Sequence, residues 1–332
     1  MLSATTLRSP QRWRQLSQVL FLIWTAWAGI QFGLFVRHFE TAGATPLYLR
    51  PPSIEAFLPI GALVSLKHWL ASGHIHPVHP AALVLFVTFV AMSTLAKKSF
   101  CSWLCPVGTL SDWSWRLGRG LLGRNFQLWQ PLDLLLRSLK YLLLLFFVKL
   151  ILIDMPAAAL GGFLDSPYWA ISDVKMLHFF TAPSTTTLVV VALLVLAGLA
   201  LKNAWCRYLC PYGALLGLVS FLSPFKIRRQ AEGCNGCQRC SRACPAALPV
   251  DKKAVIRSAE CTGCLSCISH CSSGALAMTP RGRRWPRFVF PLAVLGLFAF
   301  GVLSGMLSGH WQTSLEYGDY LRLIPLASRL GH

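Results

Sequence analysis

Twelve cysteines fall in four short clusters, and their spacing is the first chemistry the chain offers. Cys234-x-x-Cys237-x-x-Cys240-x-x-x-Cys244 precedes Pro245, and the run returns as Cys261-x-x-Cys264-x-x-Cys267-x-x-x-Cys271. Three thiolates two residues apart wrap one face of an iron–sulfur cube, and the fourth, after a wider gap, ligates the neighbouring cube. The spacing therefore predicts two [4Fe-4S] clusters with crossed ligands. Cys234, Cys237, Cys240 and Cys271 hold one, and Cys261, Cys264, Cys267 and Cys244 hold the other. Zinc is the plain alternative. Its sites close on four ligands, usually as paired Cys-x-x-Cys, which two triplets with distant fourth cysteines do not match. Gly236 and Gly263 let backbone N–H groups approach the sulfurs, and Ser272 stands where the second run would usually carry proline. Two clusters in one small module point to electron transfer, since a structural role needs only one.

The remaining thiols repeat a different phrase. Cys101-x-x-x-Cys105-Pro106-x-Gly108 and Cys206-x-x-x-Cys210-Pro211-x-Gly213 each follow an apolar run and a lysine, Lys98 and Lys202. On one helix, residues four apart share a face, and the proline would then stop or kink the helix. A pseudo-twofold pairing of the halves would gather Cys101, Cys105, Cys206 and Cys210 as a candidate third redox or metal site. Three readings stay open: a further metal centre, a dithiol or Cu(I)-type site, and plain packing of helix ends. No Cys-x-x-Cys-His occurs, which speaks against covalent haem.

The elements that must position these thiols are membrane helices. The chain has 332 residues, of which 55% are hydrophobic and only 13% charged, against about a quarter charged in ordinary soluble domains. Crossing the hydrocarbon takes ~20 mostly apolar residues. Five segments are expected to do so: 16–36, 80–96, 134–153, 185–201 and 288–308. Ala26-Trp27-Ala28 resembles a signal-peptide cleavage site, but the apolar run continues past it, which favours a retained anchor. The segment 54–70 carries Glu55, Lys67 and His68 and reads as an interfacial or re-entrant helix.

The formal net charge of +19 is explained by topology. With the N-terminus in the cytoplasm, 22 Lys and Arg fall on the inner side and 6 on the outer. The basic balance thus belongs to the membrane and not to nucleic acid. The expected fold is an all-α polytopic membrane protein of about five spans with a small α+β bacterial-type 2[4Fe-4S] ferredoxin domain. Residues 1–225 form the membrane domain, 226–287 the cytoplasmic ferredoxin domain, and 288–332 the fifth span with a short periplasmic tail.

The paired Cys-x-x-x-Cys-Pro motifs followed by a two-cluster module resemble the NapH/NosR/MauN group of membrane iron–sulfur proteins, with the YccM type nearest. The likeness rests on "KKSFCSWLCPVGTLSD", "SPYWAISDVKMLHFF", "AWCRYLCPYGALLGLVSFLSPFKIRR" and "ECTGCLSC", and it covers nearly the whole chain. It implies a bacterial inner membrane, two [4Fe-4S] clusters, and electron traffic between the quinone pool and a redox partner protein, as in a quinol dehydrogenase. CcoG-like and NosR-like relatives suggest a second class of function, metal reduction or assembly of a respiratory metalloenzyme. A redox sensor is a third, though no output module is visible.

Quinol chemistry needs proton acceptors. On the expected outer face, "HIHPVHP" supplies His74, His76 and His79 as a candidate proton or quinone site, with a solvated turn as the bland alternative. Asp154, Asp165, Asp173, Lys175 and His178 lie in the next outer loop beside Tyr168 and Trp169. Lys149 is expected to snorkel outward near Asp154. No nucleophile triad, P-loop or dinucleotide-binding glycine run is present, and no flavin motif is visible.

Overall fold

The structure is a computed structural model that describes residues 10–280, 282, 285–286 and 288–327. Arg8, Arg281, Arg283, Arg284, Arg287 and Arg329, counted in the charge asymmetry, lie outside the described residues. The chain divides into two compact units, residues 1–22, 89–144 and 192–299, and residues 23–88, 145–191 and 300–332.

A helix covers each of the five expected segments, but among the described residues only two to four spans are counted by length and composition. Pro10–Glu40 and Val289–Leu307 are long and apolar enough to cross a membrane. Two bent pairs bring the total to four if each counts as one span: Gln130–Asp154 with Ala157–Leu164, bent by 109°, and Ser172–Thr181 with Thr185–Ala200, bent by 76°. Both breaks have local causes. Pro156 precedes the first return helix, and Pro183 falls in the gap of the second pair, where a ring without an N–H cannot continue a helix. Pro80–Ala96 has 17 residues and falls short of a full span by that measure. Pro59–Ser72, with 14 residues, reaches only about 21 Å at 1.5 Å per residue. That is too short to cross about 30 Å of hydrocarbon.

The first unit holds every cysteine. A three-stranded antiparallel sheet, β1 (Phe225–Arg229), β2 (Val255–Ile256) and β3 (Leu276–Pro280), has the order β2-β1-β3. Ile227 of β1 pairs with Ile256 and Met278, and Ile227 and Ile256 face the interior. The sheet module is fastened to the helices by polar contacts. Trp103 Nε1 donates to Gly263 O (3.2 Å), and Ser102 Oγ donates to Thr262 O (2.8 Å). Arg14 is buried, pairs with Asp112, and donates to Ser102 O (3.1 Å) and Ser266 Oγ (3.2 Å). A Cβ on Gly217 would meet Ala259 O at 2.7 Å, so backbone meets backbone there.

The second unit centres on a buried ion cluster. Arg50 lies between Asp173 (2.7 Å) and Glu55 (2.9 Å), and His79 Nδ1 is 3.1 Å from Glu55. Glu55 Oε2 also accepts from Ala82 N (3.0 Å), tying the cluster to the start of helix Pro80–Ala96. Phe32, Phe35, Phe39, Ile171, Val174 and Tyr320 share one apolar core. Lys67 donates to Ile151 O (3.0 Å) and Met155 O (2.5 Å), carbonyls that the break before Pro156 leaves open. Lys149 pairs with Asp154 at 2.6 Å and both remain exposed.

Gly118 sits so close to its neighbour that a Cβ would lie 1.9 Å from Leu199 O, whereas one on Gly120 would meet nothing within 4 Å. Gly118→Ala is therefore expected to lower the thermal midpoint of the detergent-purified protein, by overpacking of about 1–3 kcal/mol or more. Gly120→Ala should be neutral or stabilising by up to about 1 kcal/mol. Equal melting of the two variants would show that this approach does not constrain the fold.

Candidate metal centres

The two cysteine runs fold into matching loops. Gly236 and Gln238 have φ of 69° and 58°, and Gly263 and Leu265 have 63° and 59°. The same left-handed turns thus follow Cys234 and Cys261 at the same offsets. At Gly263 the glycine is required twice over, since a Cβ would also press to 2.9 Å from Phe290 Cζ. Short helices Arg239–Arg242 and Ser266–Ser269 then carry Cys240 and Cys267.

The fourth cysteines lie where the crossing of the chain puts them. One cavity is lined by Cys244, Cys261, Cys264 and Cys267, closed by Ile227, Val250 and Ile256. All four thiols are buried. For the other set, Gln230 N donates to Ala275 O (2.9 Å) and a Cβ on Gly233 would lie 3.7 Å from Ala275 Cβ. The chain before Cys234 therefore runs beside the chain after Cys271. Cys234, Cys237 and Cys271 are half-buried, so this end of the module faces outward more than the first cavity does.

The donor set fits an iron–sulfur cluster. Burial pushes the Cys244 thiol up to about 12, with Cys264 and Cys261 adding to the rise. Cys267 is raised for the same reasons. Thiols this reluctant to ionise alone need a metal to become ligands. The counter-charge is already in place. Lys97 Nζ is buried without a hydrogen-bond partner and faces Cys261. Lys226 is lowered to about 8 by burial and by the nearby positive charges of Lys97 and Arg257. Burial also lowers the Lys97 pKa, so an anionic cluster beside Cys261 would favour the charged forms of both lysines. At Cys271 burial is outweighed by the Ser273 hydroxyl and the N–H groups of Leu276, Ala275 and Gly274, which hold its pKa below the ordinary value. Among the described residues no three Cys, His, Asp or Glu side chains converge closely enough to clasp a single ion.

The Cys-x-x-x-Cys-Pro motifs do not lie on continuous helical faces, contrary to the expectation from spacing. Cys101 sits in the short helix Phe100–Trp103, and Cys206 in the π-helical turn Trp205–Leu209. Cys105 and Cys210 are the N-caps of Pro106–Leu122 and Pro211–Val219, so each proline begins a helix. Proline at the first helical position loses no hydrogen bond and is preset for the turn. Cys105 Sγ accepts from Gly108 N (3.4 Å) and Cys210 Sγ from Gly213 N (3.2 Å). The duplication is thus structural as well as textual. All four thiols lie within electrostatic reach of one another.

The three histidines do not gather. His79 is buried in the Arg50–Glu55–Asp173 cluster and contacts Trp169 O (2.8 Å). His76 Nε2 meets Asp165 at 3.2 Å, and His74 turns back to Ser72 O (2.9 Å). Sequence reasoning missed Arg50 as a partner of His79, and it missed Lys97 and Glu260 as companions of the thiols, though it set Lys98 at the head of the first repeated motif. The available signal was charge inside otherwise apolar or cysteine-bearing segments.

Fold and site together define a membrane iron–sulfur protein of the electron-transport class. The 4Fe-4S binding domain family matches residues 78–125 and 183–230, and the 4Fe-4S dicluster domain family matches 226–272. YccM of Escherichia coli (strain K12), described by its name as an electron transport protein, is 44% identical over 98% of this chain and 93% of its own. The ferredoxin-type protein NapH of the same organism is 27% identical over 81% of this chain and 90% of its own. The regulatory protein NosR of Pseudomonas aeruginosa is 31% identical over 63% of this chain but 29% of its own. No solved structure matches. The chain belongs to the YccM family of 4Fe-4S electron transport proteins.

The crossed ligation expected from the spacing has a direct spectroscopic consequence. Cys244→Ala is expected to remove the same EPR component as Cys261→Ala, and Cys271→Ala the component lost in Cys234→Ala. A Cys244→Ala spectrum matching Cys234→Ala would overturn the assignment.

Proposed function

We propose that this chain passes electrons between the membrane quinone pool and a redox partner through two [4Fe-4S] clusters, held by Cys234, Cys237, Cys240 and Cys271 and by Cys261, Cys264, Cys267 and Cys244. The observation that carries this reading is the cavity in which Cys244 joins the second triplet. Each cluster supplies a one-electron couple whose potential depends on net charge, hydrogen bonds to sulfur and exposure.

The chain's own residues set those conditions unequally. Lys97 and Lys226 surround Cys261 with positive charge, and Ile227, Val250 and Ile256 keep water from its cavity. The other set meets solvent at Cys234, Cys237 and Cys271. That exposed end is the natural docking place for a soluble partner, because electrons tunnel best over short gaps. Arg239 and Arg242 flank it, so an acidic partner surface is favoured.

Quinol oxidation releases two protons with its two electrons. His79 beside Glu55, and His76 beside Asp165, are the candidate acceptors, each an imidazole paired with a carboxylate. The lysine and arginine asymmetry supports placing the ferredoxin-type module in the cytoplasm and the histidines outside, across a bacterial inner membrane.

The test is to purify the protein anaerobically and mix it with a reduced quinol analogue. Reduction of the clusters, followed by EPR, is the expected result. Stoichiometric copper together with clusters that stay oxidised would replace this reading with metal reduction or assembly.

A further inference from the structure

His79 sits where a proton has two alternative arrangements already built. Its side chain is fully buried, and Nε2 lies 2.8 Å from Trp169 O. A carbonyl oxygen only accepts, so Nε2 carries a hydrogen whatever the charge of the ring. The open choice is at Nδ1, which lies 3.2 Å from Arg50 Nη2 and 3.1 Å from Glu55 Oε1. A guanidinium only donates, and an ionised carboxylate only accepts. A neutral imidazole therefore accepts from Arg50 at Nδ1, whereas an imidazolium donates from Nδ1 to Glu55. Each state finds its partner within hydrogen-bond distance, so the ring can change charge without leaving its place.

The surrounding charges call for that proton. Asp173 Oδ2 accepts from Arg50 Nε (2.9 Å) and Nη2 (2.7 Å), and Asp173 Oδ1 accepts from Val174 N (2.9 Å). Glu55 Oε1 meets Arg50 Nη1 (2.9 Å), and Glu55 Oε2 accepts from Ala82 N (3.0 Å). All four carboxylate oxygens thus meet donors, the pattern of two ionised groups. Two carboxylates against one guanidinium leave one negative charge in excess while His79 is neutral. An uncompensated charge out of water is costly, and one proton on His79 closes the balance. Tyr320, from helix Tyr317–Leu323, is the other titratable group within electrostatic reach of Arg50, Asp173 and Glu55. Burial pushes its phenol up to about 12, so it stays neutral and adds no charge.

The two other histidines of the loop lack this arrangement. His76 pairs with Asp165, whose side chain is 76% exposed, and a water-facing pair gains little from holding a proton. His74 turns to Ser72 O and meets no carboxylate there. The backbone around His79 is also pinned, since Thr313 Oγ1 donates to Val78 O (2.6 Å) and Ser314 N to Pro77 O (3.0 Å).

We propose that His79, set between Arg50 and Glu55, is a buried store for one proton, loaded at Nδ1. The store deepens the quinol reading above and rests on it only for the source of the proton. A quinol that gives up two electrons also gives up two protons, and the store holds one of them. A ring this enclosed keeps the proton and does not touch the quinol itself.

The experiment is infrared difference spectroscopy of the full chain, purified anaerobically in detergent, with isotope-labelled histidine, oxidised clusters and no quinol, stepped in pH. Imidazole ring bands distinguish the two neutral tautomers from the imidazolium. The wild type is expected to contain a component that passes from the Nε2–H tautomer to imidazolium on acidification. His79→Gln should remove that component, and His76→Gln should leave it. Glu55→Gln keeps Arg50 paired one to one with Asp173, so it does not depend on the His79 variant folding. It should move the transition about one to three pH units lower, because the carboxylate that favours the charged ring is gone. No component lost in His79→Gln, a neutral Nδ1–H form, or a transition unmoved in Glu55→Gln would each overturn the store. Failure of the quinol reading would look different: clusters that stay oxidised with a quinol analogue, in a protein whose His79 component is intact.

Discussion

Negative charge on sulfur, held out of water, must be met by a cation that is also out of water. That constraint organises the first unit of this structure. Lys97 and Lys98 are buried at the end of helix Pro80–Ala96, where an unpaired ammonium would be costly on its own. Their positions make sense only with the thiols they face. Glu260 answers from the other side, held below the usual carboxylate range, against burial, by Lys98 and Lys140. The result is a string of alternating charge running from the Cys-x-x-x-Cys-Pro group to the first cysteine of the second run.

The same constraint explains why the cysteine-rich module is not a tethered appendage. Its loops are fixed to the helices by Trp103, Ser102 and Arg14 and by backbone contact at Gly217. Electron transfer between buried centres falls steeply with distance, so a floating module would lose the contact that makes it useful. Arg14 bridges three segments distant in sequence through one guanidinium, which offers five donors in a rigid fork. The less buried end of the module remains open at Cys234, Cys237 and Cys271.

The second unit solves a different problem with the same means. Arg50, Glu55, Asp173 and His79 bury their charges together. Removing one partner from such a set leaves an uncompensated charge and typically costs about 3–5 kcal/mol. The cluster fixes the start of helix Pro80–Ala96 through Glu55 and Ala82.

Much of this was legible in the residues. Spacing alone separated the eight ferredoxin-type cysteines from the four repeated ones, because a cubane imposes intervals that no other common site shares. Hydropathy showed that the chain is built of membrane helices, since local composition decides that. It did not give their number cleanly: the breaks at Pro156 and after Thr181 join the expected spans 134–153 and 185–201 to further apolar helices at sharp angles. Spacing placed Cys101 with Cys105, and Cys206 with Cys210, on shared helical faces, where proline instead starts a new helix and makes the second thiol an N-cap. The cavity that sets Cys244 beside the second triplet, the wall between that cavity and the repeated motif, and the pairing of His79 with Arg50 and Glu55 were decided by tertiary structure alone. Ligand spacing is written along a few neighbouring residues, but the partner of a buried charge is chosen by which distant segments pack against it.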